Sequence, residues 1–326
     1  LHNAPVSSEE ADEAMVPKVS VGLPTYNGEK YLAEALQSLL TQSFTDFEII
    51  VSDNASTDRS AEIVHDMARS DPRVRYFKTD TNIGSIANHN RTFQLAKGEF
   101  FHWHGHDDLC APTYLERCVE ILERDQSVVL CHSQTCPIDG SGRPLRYDPD
   151  LGVLTDVDRT FSIPLPDANF ADHADPVVRF REALWNTANC QHVMGVMRSA
   201  AVRRTRLMRS YYSADRAFLI TMALLGRFCE IPQPLFFKRE HASNSRRLRS
   251  AEEKARFAAP TVPAWMGRAD HLRGYAEITR AVLNSEMSFS DKWQCLRIAF
   301  GKAVGARLGQ VRQARPRSSR REQTIG

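Results

Sequence analysis

The chain has 326 residues and a formal net charge of +2, with 42% hydrophobic and 25% charged residues. That balance is globular and ample to bury a core without disulfide staples. It excludes the overall basic field that a nucleic-acid partner would call for. Seven cysteines, with no C-x-x-C pair, suit a reducing compartment better than a disulfide framework.

Residues 1–17 read as an acidic, disordered leader that lacks the basic start and apolar run of a signal peptide. No segment has the apolar length of a membrane span, so a cytoplasmic protein is expected, peripheral to a membrane at most. Val19–Leu23, closed by Pro24, is a buried strand. Tyr31, Leu32, Ala35, Leu36, Leu39 and Leu40 then recur at helical spacing. Phe47–Val51 is the second strand, and Ser60–Ala68 a helix with Asp58 as its N-cap. Val74–Phe77, a helix over Ile86–Ala96, the strand Phe100–Trp103, a helix over Tyr114–Leu122 and the strand Val128–Cys131 follow. Periodicity fades from Ile138 to Asp175 among glycines and prolines, which suggests a functional or disordered stretch. A helix over Val177–Trp185, a strand near Val193–Met197, a helix over Asp215–Leu225 and short strands at Phe228–Ile231 and Leu235–Phe237 complete the pattern. Beyond Glu252 the chain reads helical and ends in a basic tail from Arg297.

Alternation at this spacing predicts an α/β fold with a mostly parallel sheet covered on both faces. Ligands of such sheets bind outside the carboxyl ends of the strands. The polar clusters fall there: Pro24-Thr25-Tyr26-Asn27-Gly28, then Asp53-Asn54, then Asp107-Asp108. Adjacent carboxylates are most easily tolerated in solvent or beside a cation, and oxygen ligands favour magnesium or manganese. The same pair also suits a helix start. Asp53 can accept from a base or ribose, or simply cap a turn. Tyr26 can stack on a base. Neither G-x-G-x-x-G nor G-x-x-x-x-G-K-[ST] is present, so phosphate charge calls for a metal. His102, His104 and His106 alternate and so share one side of a strand end, as a metal site or as an exposed polar face.

The ordered set V-S-V-G-L-P-T-Y-N-G-E-K-Y-L, F-E-I-I-V-S-D-N-A-S-T-D, N-I-G and L-A-K-G-E-F-F-H-W-H-G-H-D-D resembles the family 2 glycosyltransferases of the GT-A fold. The likeness covers about residues 18–135 well and weakens towards 245. It implies a GT-A-type domain over 18–247, with a nucleotide-sugar half (18–135) and an acceptor half (136–247), followed by a helical C-terminal region (248–326). By resemblance, Pro24, Thr25, Tyr26, Asn27, Glu29, Asp53 and Asn54 line the nucleoside pocket. Asn82, Gly84, Asn90, His106 and Asp107 also belong to the nucleotide-sugar site. Asp107 and Asp108 hold a divalent cation, Mn2+ or Mg2+, with His241 as a further ligand. Asp215 is the candidate base towards the acceptor hydroxyl, although its position also suits an N-cap, and Arg216 beside it could pair with it. Arg246 or Arg247 could meet phosphate oxygens. Trp185 could stack on a sugar, but a core aromatic fits it better.

Three departures from the family pattern stand out, the first being that the A-R-N often seen after N-x-G is replaced around His89-Asn90. Gly105 occupies the place where many relatives carry the first acid of D-x-D-D, and Ala214-Asp215 replaces a frequent E-D. The implied activity is inverting, metal-dependent transfer from a nucleoside diphosphate sugar, with uridine the family-weighted base, to a saccharide, lipid-linked or other hydroxyl acceptor in glycan assembly. Its rivals are an inactive nucleotide-sugar-binding partner and a sugar-phosphate nucleotidyltransferase. The basic tail reads as a disordered basic segment, or as one that could lie on an anionic membrane face.

Overall fold

The computed structural model describes residues 16–159, 161–241 and 244–314. The leader and the end of the basic tail lie outside them. The first four strands are β1 (Val19–Thr25), β2 (Phe47–Asp53), β3 (Val74–Lys78) and β4 (Phe100–Trp103). They are parallel, in the order β3-β2-β1-β4, and are joined through α1 (Leu32–Leu40), α2 (Ser60–Ser70) and α3 (Ser85–Leu95). Every residue of β1 and β2 is buried, as expected of parallel strands with helices on both faces.

Next come β5 (Leu109–Cys110), α4 (Tyr114–Arg124) and β6 (Val128–Ile138), then β7 (Arg146–Asp148), β8 (Val153–Thr155) and β9 (Ser162–Ile163). The chain continues through α5 (Pro176–Asn186), β10 (Val196–Arg198), α6 (Ser199–Arg203), α7 (Ala214–Leu225) and β11 (Arg227–Arg239). The main sheet extends past β4 in the order β10-β6-β11-β5. β10 runs antiparallel to both β4 and β6, β6 and β11 are parallel, and β5 closes the edge antiparallel to β11. The expected sheet is therefore present, with one reversed strand in its middle. The boundary drawn at residue 135 falls inside β6.

Each face of the sheet has a core. Leu32, Leu36 and Leu39 of α1 pack with Leu115 and Leu122 of α4 on one side. On the other, Phe101 and Trp103 of β4 pack with Phe180 of α5 and Phe218 of α7. The C-terminal region is helical, with α8 (Ala251–Ala258), α9 (Asp270–Asn284) and α10 (Phe289–Ala314). It is not loosely attached, because Ile278, Val282, Cys295 and Ala299 are buried in that second core.

Several local expectations need correction. The stretch from Ile138 to Asp175 holds a three-stranded antiparallel sheet, β7-β8-β9, whose strands of two or three residues are too short for periodicity to reveal. Phe228–Ile231 and Leu235–Phe237 belong to a single strand whose register shifts around Pro234, where proline withholds a ladder hydrogen bond. The strand expected near Val193–Met197 begins only at Val196, after a 3-10 turn over Gln191–Met194. Asp58 is not the N-cap of α2, which is Arg59; it accepts from the backbone N–H groups of Ser60 and Glu29 instead. Trp185 is exposed, with the Lys302 ammonium over its ring, and is not a core aromatic. All seven cysteines are free thiols. No described helix is long and apolar enough to cross a membrane.

Candidate active site

The turn between β4 and β5 carries Gly105, His106, Asp107 and Asp108. It is not a helix start, since α4 begins at Tyr114. Both carboxylates bend back over Gly105. A Cβ at that position would stand 2.6 Å from Asp108 Oδ2 and 2.9 Å from Asp107 Oδ1. The missing first acid of D-x-D-D is thus a space that the other two carboxylates fill.

The end of β11 completes the arrangement. The backbone N–H of Arg239 donates to Asp108 Oδ1 at 2.8 Å, and its Nε donates to the Asp107 carbonyl oxygen at 2.8 Å. Its Nη2 reaches Glu34 Oε2 at 2.7 Å, and its guanidinium stacks on the Tyr31 ring. Arg239 is only 1% exposed, so it is a buried pillar under the acid pair. His241 Nε2 lies 2.9 Å from Asp107 Oδ2. Burial and the neighbouring Asp107 push Asp108 up to about 8. Burial also acts upwards on Asp107, but the hydrogen bond from His241 and the fields of His106 and His241 bring it below its ordinary value. Two carboxylates and an imidazole at one point, one of the acids costly to ionise alone, form a donor set that fits a hard divalent cation.

The loops after β1 and β2 are latched together beside this turn. Thr57 N–H donates to Asn27 Oδ1 at 2.9 Å, and Arg59 N–H donates to Glu29 Oε2 at 3.1 Å. Gly28 N–H donates to Ser60 Oγ at 2.8 Å, and the Gly28 α-carbon abuts the His106 ring. Asp53 accepts from Ser56 N–H and from the Tyr76 hydroxyl, so its carboxylate shapes the loop from within. Asn54 accepts from Ile83 N–H and donates to Asn82 Oδ1, which also accepts from Gly84 N–H. Gly84 has φ +89° and begins α3. Tyr26 is 45% exposed at the mouth of these loops. Asn90 stands apart, with both ends of its amide on the Met208 backbone.

Asp215 sits in the first turn of α7, half-buried; the N-cap is Ser213. Burial raises it, and the Arg216 N–H, the field of Lys238 and the Cys190 thiol offset that only in part. Arg216 does not pair with it through its guanidinium, which donates to the Leu184 carbonyl oxygen at 3.0 Å. Lys238, one residue before the pillar arginine, acts electrostatically on both Asp108 and Asp215 and so links the two centres. It lines a narrow slot with Asn189, Gln191, Glu240 and Arg246. Arg246 pairs loosely with Glu240 at 3.6 Å, whereas Arg247 stacks on Phe161.

Sequence reasoning gave Lys238, Arg239 and Glu240 no individual role. Arg239 and Glu240 are buried, at 1% and 2% exposure. The signal available was their place at the end of a strand, facing the acid pair. The three alternating histidines also part company. His106 joins the turn, while His102 and His104 are wholly buried rather than lying on an exposed face.

Comparison with known proteins bears on the family and the fold. The model of the family described as Glycosyl transferase family 2 matches residues 20–204. An uncharacterized glycosyltransferase of Methanocaldococcus jannaschii is 31% identical over 148 residues, covering 44% of this chain and 51% of its own length. The chain thus spans about half the length of such curated relatives. Among solved structures, S. aureus TarS 1-349 in complex with UDP-GlcNAc superposes with a TM-score of 0.58 at 20% identity, over 86% of this chain and 70% of that one. The mannosyltransferase PcManGT from Pyrobaculum calidifontis, in complex with GDP-Man and Mn2+, gives 0.51 at 18% identity, over 92% and 82%. These structural likenesses establish the GT-A fold.

Proposed function

The chain belongs to glycosyl transferase family 2, and from that premise we propose that it transfers a glycosyl group from a nucleoside diphosphate sugar to a hydroxyl acceptor, with inversion. The observation that carries this reading is the convergence of Asp107, Asp108 and His241 at the carboxyl ends of the parallel strands, beside the latched loops of β1 and β2. Tyr26 offers its exposed ring to the base, and Asn27, Glu29, Asp53, Asn54, Asn82 and Gly84 hold the loops that frame it. Uridine is the base we favour, as in the UDP-GlcNAc complex of TarS; PcManGT holds a guanosine donor.

Asp107, Asp108 and His241 would hold Mn2+ or Mg2+, which supplies Lewis-acid neutralisation of the leaving diphosphate. Asp215 takes the proton of the acceptor hydroxyl as that oxygen bonds to the anomeric carbon. The bond from that carbon to the diphosphate oxygen breaks with its electron pair, and the proton resides on the Asp215 carboxylate. Arg239 fixes the acid pair, and Lys238 places positive charge between the two centres.

Along α10, Phe289, Trp293, Phe300 and Val304 are 84%, 57%, 71% and 38% exposed. At about 3.6 residues per turn they fall within roughly 60° of the helix circumference. Lys292 and Arg297 flank that stripe. Such a face fits an anionic membrane surface, which would bring the enzyme to a membrane-borne acceptor.

The test is release of nucleoside diphosphate from a panel of uridine, guanosine and thymidine diphosphate sugars, with and without Mn2+, beside Asp108→Ala. Release from one donor, abolished by chelator and by the substitution, supports the reading. Donor binding without turnover across a broad acceptor panel would instead make the chain a binding partner in glycan assembly. Failure to bind any donor overturns both.

A further inference from the structure

A nitrogen–sulfur cluster lies beneath the Asp107–Asp108 turn, and sugar transfer makes no use of it. His102 and His104, at the end of β4, are 0% exposed, and Cys110 of β5 is 6% exposed. His102 Nε2 and His104 Nδ1 are 3.2 Å apart, and His104 Nδ1 is 3.7 Å from Cys110 Sγ. One ligand atom from each residue lies within 4.8 Å of the other two. Nitrogen at about 2.0–2.1 Å and sulfur at about 2.3 Å from a common tetrahedral ion are separated from one another by roughly 3.3–3.6 Å. Two of the three separations are therefore close to the spacing that ligation requires, and the third lies within 4.8 Å.

The protons on the two rings argue in the same direction. His104 Nε2 faces the Asp108 carbonyl oxygen at 3.1 Å, which demands an N–H there and leaves Nδ1 a bare lone pair pointing inwards. His102 Nε2 must then donate to it, which strips the proton from His102 Nδ1. That atom is buried without a hydrogen-bond partner, against the backbone of Met194 and Gly195. The opposite choice of tautomer leaves His104 Nε2 bare against a carbonyl. Two neutral rings bonded to each other thus leave one outward nitrogen unsatisfied, a costly state in a dry core. A cation at the centre removes the conflict. Both inward nitrogens become ligands and both outward nitrogens carry protons, that of His104 on the Asp108 carbonyl oxygen, a usual outer partner of metal-bound histidine, and that of His102 on the side of the Met194 and Gly195 backbone.

We propose that His102, His104 and Cys110 bind a thiophilic cation, zinc or copper(I), as a structural ion separate from the cation of the transfer site. Binding forms one metal–sulfur and two metal–nitrogen bonds, releases the thiol proton to solvent and changes no oxidation state. The ligand sets sort the metals, with carboxylate oxygens above for manganese or magnesium, and nitrogen and sulfur below for the softer ion. The ion would tie β4 to β5 across the turn that carries Asp107 and Asp108.

The experiment is elemental analysis of the full chain, expressed with added zinc or added copper and dialysed against EDTA to strip carboxylate-held metal. One retained equivalent of either element is expected, and the element found says which ion it is. Asp108→Ala should keep it and Cys110→Ser should lose it. A cobalt-grown preparation should show a thiolate-to-cobalt charge-transfer band that Cys110→Ser abolishes. Should that variant fail to fold, the unsubstituted chain still decides. No retained ion and no cobalt band would overturn the proposal, as would loss of the ion in a folded Asp108→Ala chain.

Discussion

Asp108 is held where burial and a neighbouring carboxylate both oppose its charge, where the Arg239 N–H relieves that opposition in part and the proposed cation would relieve the rest. Asp108→Asn should therefore cost two or more decades of transfer rate, roughly 3 kcal/mol of charge stabilisation, with little change in folding. Steady-state rates and a thermal melt on the same variant check this. Gly105→Asp restores the spelling of many relatives but puts a Cβ 2.6 Å from Asp108 Oδ2. It should lower transfer by about tenfold or more, near 1.4 kcal/mol, and raise the metal concentration for half-maximal activity; a metal titration reads both. As the proposed base, Asp215 would work only when ionised, and its proton affinity is raised. The rate should thus climb with pH through an inflection above the ordinary carboxylate range and then level off. Asp215→Asn should lower kcat while leaving donor KM unchanged, and should remove that inflection from the pH profile. Arg239→Met should destabilise by about 2–3 kcal/mol, less than a fully buried broken pair, because Glu34 can turn to water. Denaturant melts measure it.

At the scale of elements, β1 to β4 and their helices were legible because buried parallel strands write continuous apolar runs between amphipathic helices. What was not legible has identifiable causes. Two prolines inside Arg227–Arg239 break the run into apparent fragments, although the strand continues through register shifts. The pleat of β4 suggested a polar face at His102 and His104, but the packing of Tyr114 and Phe236 covers that face too. The candidate site was legible where its residues follow a strand directly, at Asp53 and Asp107-Asp108. It was least legible at Arg239, whose burial depends on β11 arriving beside β5, a contact between residues far apart in the chain. The stripe on α10 also belongs to this scale. Phe289→Glu with Phe300→Glu should abolish cosedimentation with anionic vesicles while donor hydrolysis persists, since neither side chain touches the core.

For the molecule as a whole, the C-terminal helices close one core and touch the loop before α3. A Cβ on Gly84 would meet Pro260 and the Ala258 carbonyl oxygen, so the end of α8 rests on the start of α3. Ile278 and Val282 lie inside the core, each a burial of roughly 1.5–3 kcal/mol. Removal of residues after 250 should consequently give an aggregating or molten chain rather than a smaller soluble enzyme. Near-UV circular dichroism and solubility of the truncated protein against the full chain would report this.

The reversed strand β10 imposes an order of events during synthesis. When the ribosome has released the first four strands, β4 has β1 on one side and nothing on the other, and it stays so until residues 196–198 emerge. For that interval Phe100, Phe101 and Trp103 sit on an open strand edge, available to any neighbouring nascent chain. β6, made earlier than β10, waits for the same short strand before it can join the sheet. Three residues therefore act as the keystone between two halves translated at different times, and slowing the ribosome between β6 and β10 should raise the demand for chaperones.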